Sequence, residues 1–90
     1  MTKHYQIIVK GKVQGVFYRA SAQQKAQELN VRGYAQNQTD GSVFIEAEGE
    51  VGALLSFVEW CKQGPPRAVV SSVDVTEGGV EVYSDFLIKR

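Results

Sequence analysis

The sequence predicts an α+β sandwich: an antiparallel four-stranded sheet with an extra C-terminal strand, and two helices covering one face. Three observations predict it. Strand-like and helix-like stretches follow one another in the order βαββαβ, and a further strand-like tail closes the chain. Asp40-Gly41 joins the two middle strands as a hairpin, since Gly accepts a positive φ without strain. Ninety residues at 9.9 kDa support one core, so residues 1–90 are expected to form a single domain. A chain this short buries roughly 60–65% of its unfolded surface, which two helices on one sheet face can accomplish. The order is that of a split βαβ, or ferredoxin-like, arrangement.

Each element follows from its residues. From Tyr5 to Val13 the residues Tyr5, Ile7 and Val9 fall on one face, as a strand requires. Gly11, Gln14 and Gly15 then break the pattern. Ala22, Ala26 and Leu29 recur at helical spacing, which places a helix from near Arg19 to Leu29. Ser21 with Gln24 also resembles a capping box, which leaves the start of that helix open. Asn30 suits a left-handed stop. Val31 to Gln38 and Ser42 to Glu48 read as the hairpin strands. A second helix is predicted from Val51 to Lys62, with Val51, Leu55 and Val58 on one face and Leu54 and Cys61 beside them. Gly64-Pro65-Pro66 ends it. Val69 to Thr76 alternates Val69, Val73 and Val75 as a fourth strand. Gly78-Gly79 leads into the tail from Val80, where Phe86 and Ile88 share a face.

Composition limits the function. The apolar share is 43% and the aromatic share 10%, enough to fold and too much for disorder. Ten basic and ten acidic residues cancel, which argues against sequence-independent nucleic-acid binding. The balance conceals an asymmetry. Up to Gln36, six basic residues face only Glu28; from Asn37 onward, four basic residues face nine acidic ones. An anion site is therefore expected in the first half. One cysteine, Cys61, excludes an internal disulfide and a multi-cysteine metal site, and one histidine, His4, excludes a histidine-cluster site. No run approaches a signal sequence or the ~20 apolar residues of a membrane span. A cytoplasmic monomer without metal, cofactor, nucleic-acid or membrane partner is the expectation.

In the predicted topology the first two strands run the same way. The loop from Val13 to Arg19 and the end of the second strand near Asn37 then share one edge. Gln14-Gly15-Val16-Phe17-Tyr18-Arg19 joins a strand to a helix N-terminus, where backbone N–H groups and the positive end of the helix dipole are free. Gly15 lets an anion approach the backbone, and Arg19 can fork two N–H groups onto phosphate or carboxylate. A solvated arginine beside an ordinary strand–helix turn is the plainer reading of the same residues.

The stretch Val9-Lys10-Gly11-Lys12-Val13-Gln14-Gly15-Val16-Phe17-Tyr18-Arg19 resembles the first signature of the acylphosphatase family. Gly33-Tyr34-Ala35-Gln36-Asn37-Gln38-Thr39-Asp40-Gly41-Ser42-Val43, with Gly49 beyond it, is similar to the second. Gly64-Pro65-Pro66-Arg67-Ala68 and the closing Phe86-x-Ile88 also look like that family, so the resemblance spans nearly the whole chain. Tyr18 departs from it, standing where the family usually has Phe or Met. The resemblance implies a hydrolase that cleaves acyl phosphates to a carboxylate and inorganic phosphate. It implies that Arg19 binds the phosphate with the backbone amides of Gly15, Val16, Phe17, Tyr18 and Arg19, and that Asn37 positions the attacking water. An amide can orient water without deprotonating it, so a substrate phosphate oxygen is the implied base. A carboxylate leaves without a general acid, which suits a site lacking a catalytic His or carboxylate.

Other signals carry less. Cys61 and Arg67 have the C-x5-R spacing of cysteine phosphatases, yet Pro65 and Pro66 lack the N–H donors that such a loop must present. Cys61 reads instead as a small buried thiol. Asn37-Gln38-Thr39 is a formal glycosylation sequon, read as accidental without a signal peptide. His4 is expected as a solvated strand-edge residue, and Glu46, Glu48 and Glu50 as a solvated acidic face. The aromatic residues could suggest base stacking, but the RNP motif is absent and packing explains them. Two readings of the whole chain remain at this point: an acyl phosphate hydrolase, and a non-catalytic ferredoxin-like module that binds a small phosphorylated ligand.

Overall fold

The computed structural model describes residues 1–90. The elements are β1 (Thr2–Lys12), α1 (Tyr18–Glu28), β2 (Arg32–Asn37), β3 (Val43–Glu50), α2 (Val51–Gln63), β4 (Val69–Gly78) and β5 (Phe86–Lys89). They build one five-stranded sheet in the order β4-β1-β3-β2-β5. The first four strands pair antiparallel, as expected, but β5 pairs parallel to β2, so the sheet is mixed. The cause is the route of the chain. After β4, on one edge, it crosses the sheet and reaches the opposite edge already running with β2.

One face of the sheet supplies Ile7, Val9, Ala35, Val43, Ile45 and Ala47 to a core shared with both helices. From α1 that core takes Tyr18, Ala22 and Ala26, four residues apart, and the two alanines let the helix lie close to the sheet. From α2 it takes Leu54, Phe57, Val58 and Cys61. Leu55, expected on the buried face, is 54% exposed. The stripe turns by about one residue because it must admit the Phe57 ring, which packs edge-on against Phe86. The edge strand β4 is the least buried, with Val69 64% exposed.

Both turn signals hold. Asn30 closes α1 at φ 57°, and Gly41 takes φ 93° in the β2–β3 turn. There Asp40 Oδ1 accepts from the Ser42 N–H at 2.9 Å and the Ser42 hydroxyl at 2.6 Å. Those bonds hold the Asp40 carboxyl below its usual range. Gly33 sits at φ 140°, where a Cβ would run into the Glu46 carbonyl.

The other face of the sheet departs most from expectation. His4 is 1% exposed and Glu48 0%, with Glu46 at 5%. His4 Nδ1 lies 3.1 Å from Glu48 Oε2, and Nε2 contacts Glu46. The expected solvated strand edge is wrong because β1 is an inner strand, flanked by β4 and β3. The crossing segment between β4 and β5 also covers this end of the sheet. Its Glu81 and Tyr83 N–H groups donate to Glu48 at 2.7 and 3.2 Å, and the Tyr83 ring stacks on His4. Glu46 and Glu48 are therefore partners of a buried imidazole and of the crossing backbone.

A pH dependence of stability follows. Burial alone would lower the His4 pKa, but its bonds and charge contacts with Glu46 and Glu48 outweigh burial and leave it raised. Burial alone would raise Glu48, but the Glu81 N–H, His4 and the Tyr83 N–H outweigh it and leave it lowered. The His4 contribution is complete below its ordinary value of 6.5 and disappears as pH rises through the raised folded value. The Glu48 contribution is complete above its ordinary value of 4.5 and disappears as pH falls through the lowered one. Urea midpoints measured from about pH 3 to pH 9 should peak between those two limbs. His4→Gln should flatten the alkaline limb. An alkaline limb as steep in that variant as in the parent contradicts this assignment.

Candidate active site

The strand–helix loop is held from both sides. Val16 is 4% exposed and anchors it in the core, while Gly15 takes φ 74° with open space where a Cβ would stand. Phe17 caps α1 in the left-handed conformation at φ 64°, ψ 27°, an arrangement costing about 1–2 kcal/mol for a bulky residue. The helix starts at Tyr18, one residue before the expected Arg19, and Ser21 lies inside it with its N–H on the Phe17 carbonyl at 3.0 Å. The N–H groups from Gly15 to Ala20 take no protein acceptor, which leaves a run of unpaired donors at the positive end of α1.

Tyr18 also explains its own departure from the family pattern. Its hydroxyl donates to the Cys61 carbonyl at 2.7 Å. In a continuing helix that carbonyl would accept from residue 65, but Pro65 has no N–H. The hydroxyl fills the gap and ties the loop to the end of α2. Burial, with the Cys61 contact, pushes the Tyr18 pKa up, so the hydroxyl stays a donor. Burial also pushes the Cys61 thiol up to about 12, despite the Tyr18 contact, so the thiolate is scarce at neutral pH.

Arg19 and Asn37 come to one cleft. Both line a cleft of about 310 Å³ with Gly15, Phe17, Ala20 and Ile88, floored by Val13 and Tyr18. Arg19 is half-buried, and its Nη1 donates to the Lys89 carbonyl at 2.9 Å. That single bond fixes the guanidinium and leaves its other N–H groups free to fork an anion. Asn37 is the last residue of β2, and its Oδ1 is buried without a hydrogen-bond partner. An unpaired buried acceptor is costly, which leaves Asn37 Oδ1 open to a hydrogen-bond donor within the cleft. The larger surface hollows, around Asn30–Arg32 with Asp85 and between Lys25 and Trp60, lie away from this row of donors.

Two supports of the cleft were not read from the sequence. Gln14 Nε2 donates to the carbonyls of Gln38 and Ser42, both at 2.8 Å, and so locks the loop to the hairpin that carries Asn37. The predicted nearness of these two segments was the signal that could have found it. Strand β5 supplies Ile88 to the wall and the Lys89 carbonyl to Arg19. On the far face, His4, Glu46 and Glu81 bring possible metal-ligating atoms within 4.8 Å of one another. Both His4 nitrogens there are already engaged by Glu46 and Glu48.

A family model for acylphosphatase matches residues 5–88. The chain belongs to the acylphosphatase family. An acylphosphatase of Marinobacter nauticus is 48% identical over 83 residues, 91% of this chain and 90% of that one. The crystal structure of acylphosphatase from Bacillus subtilis superposes with a TM-score of 0.95 at 42% identity, each chain wholly covered. An acylphosphatase structure from Coxiella burnetii gives the same TM-score and identity, over 98% of this chain and 93% of that one. Between the two readings, the hydrolase stands: the chain is an enzyme that cleaves acyl phosphates to a carboxylate and inorganic phosphate. No helix is long and apolar enough to cross a membrane.

Proposed function

We propose that Arg19 and the N–H groups of Gly15, Val16, Phe17, Tyr18 and Arg19 bind the substrate phosphate while Asn37 positions the water that attacks it. The observation that carries this reading is the cleft that Arg19 shares with Asn37, beside a run of N–H groups without protein acceptors and the unpartnered Asn37 Oδ1. The water donates one hydrogen to Asn37 Oδ1 and turns a lone pair toward phosphorus. As the new P–O bond forms, the bond to the acyl oxygen breaks and its electron pair leaves with the carboxylate. The proton of the water passes to a phosphate oxygen, because an amide cannot take it. The guanidinium and loop amides offset charge on the equatorial oxygens, so catalysis is positioning plus electrostatic stabilisation. No step uses a metal, a cofactor or a thiolate.

Residues 1–90 act in this reading as one cytoplasmic domain, and as a monomer. An unpaired cysteine suits a reducing compartment, and one continuous core serves all seven elements. Zero net charge favours a small substrate over a nucleic acid.

Benzoyl phosphate hydrolysis followed spectrophotometrically tests the mechanism. Turnover should persist in EDTA and after treatment with a thiol-blocking reagent, and inorganic phosphate should inhibit competitively. Activity lost in EDTA, or in folded Cys61→Ser protein, contradicts the proposed chemistry.

A further inference from the structure

We propose that Gln14 is a positioning residue for the hydrolysis: its side-chain amide bridges the phosphate loop and the β2–β3 hairpin, and so sets Asn37 at its working distance from the bound phosphate. The inference rests on the roles of Arg19 and Asn37 proposed above, and adds what keeps the two halves of the site in register.

The sheet does not fix that distance. Strand β1 leads into the loop and β2 ends at Asn37, but β3 lies between them. β1 also parts from β3 early. Their ladder ends at Val9 opposite Val43, and from Lys10 to Lys12 β1 pairs with β4 alone, past a register shift between Lys10 and Gly11. The loop therefore starts out already detached from the hairpin. No backbone hydrogen bond joins residues 13–17 to residues 37–43. The other anchors of the loop lead elsewhere: Val16 is buried in the core, and the Tyr18 hydroxyl reaches the end of α2.

Gln14 closes the gap. Its Nε2 donates to the carbonyls of Gln38 and Ser42, both at 2.8 Å, which engages both amide hydrogens. These are the only hydrogen bonds between the loop and the hairpin. Asn37 and Val43 form the last pair of the β2–β3 ladder, and Gln38 and Ser42 are the next residues toward the turn. The bridge thus runs from the residue before Gly15 to the residue after Asn37. The turn does not depend on it. The Ser42 carbonyl also accepts from the Gln38 N–H at 2.9 Å, and the Gln38 carbonyl from the Gly41 N–H at 3.2 Å. Without Gln14 both halves of the site keep their own anchors, and what is lost is their separation. A misplacement of about 1 Å is enough to slow an attack that depends on alignment.

The test is a double-mutant cycle on benzoyl phosphate hydrolysis with Gln14→Met, Asn37→Ala and the two combined. The phosphate inhibition constant and the urea midpoint are measured on each. Methionine keeps the length of the side chain and removes both donors. Gln14→Met should lower kcat about ten-fold or more with a nearly parental inhibition constant. In the Asn37→Ala background the same change should lower kcat about two-fold or less, because the residue it positions is gone. A purely structural role would cost the same in both backgrounds. Gln14→Asn keeps the amide but is one methylene too short to span both carbonyls, and it carries the cycle where Gln14→Met does not fold. Failure of both variants to fold overturns the proposal, since the bridge would then serve the fold. A near-parental kcat in a folded Gln14 variant, or an equal loss with and without Asn37, overturns the bridge alone. A near-parental kcat in folded Asn37→Ala overturns the water reading, and the bridge with it.

Discussion

Arg19→Ala should abolish turnover of benzoyl phosphate and competitive inhibition by inorganic phosphate, in a protein that still folds. The side chain is half-buried and makes one hydrogen bond, to the Lys89 carbonyl at 2.9 Å. An exposed bond of that kind contributes about 1 kcal/mol or less, a small part of the stability of a domain this size. In the proposed reaction it does more, because it is the one cation among the residues lining the cleft. Losing a fixed charge aimed at the phosphate oxygens is expected to cost about a thousand-fold in kcat/KM. Arg19→Lys should recover little. A lysine keeps the charge, but a point ammonium cannot hold the Lys89 carbonyl and fork the phosphate together. The checks are kcat/KM, the phosphate inhibition constant and the urea midpoint of each variant. Near-parental hydrolysis by folded Arg19→Ala contradicts the assignment.

What the sequence made legible follows from where its information lies. The hairpin was readable because Asp40 and Gly41 state a turn within two residues, and the strands beside it alternate. The nearness of the strand–helix loop to Asn37 was readable because Gly15 and Arg19 stand at a strand–helix junction and because two long spaced signatures surround Arg19 and Asn37. Strand β5 was half readable. Phe86 and Ile88 gave its composition, but its parallel pairing depends on a crossing segment with no periodicity, whose N–H groups bond to Glu48, more than thirty residues earlier. His4 was misread for a related reason. Its burial comes from sheet register, which sets it opposite Glu48, and from a cover that arrives from the far end of the chain. The hold on Arg19 is a backbone carbonyl, and a carbonyl has no residue code to read.

Asn37 carries the central claim, because water positioning is what separates a hydrolase from a phosphate-binding loop. Were Asn37 only a cap on the strand before the turn, its truncation would remove a structural hydrogen bond and lower stability by about 1 kcal/mol. The structure gives it no such bond. No protein group bonds to its Oδ1, so Asn37→Ala should leave the urea midpoint close to the parent's. Phosphate would still be held by Arg19 and the loop. A water without its orienting acceptor attacks less often, and lost positioning of that kind is expected to cost about a hundred-fold or more in kcat. The most direct measurement is kcat and the phosphate inhibition constant on the same folded sample of Asn37→Ala. The account predicts a kcat about a hundred-fold or more below the parent with a nearly parental inhibition constant. A near-parental kcat, or a kcat that falls only as phosphate binding falls, contradicts it.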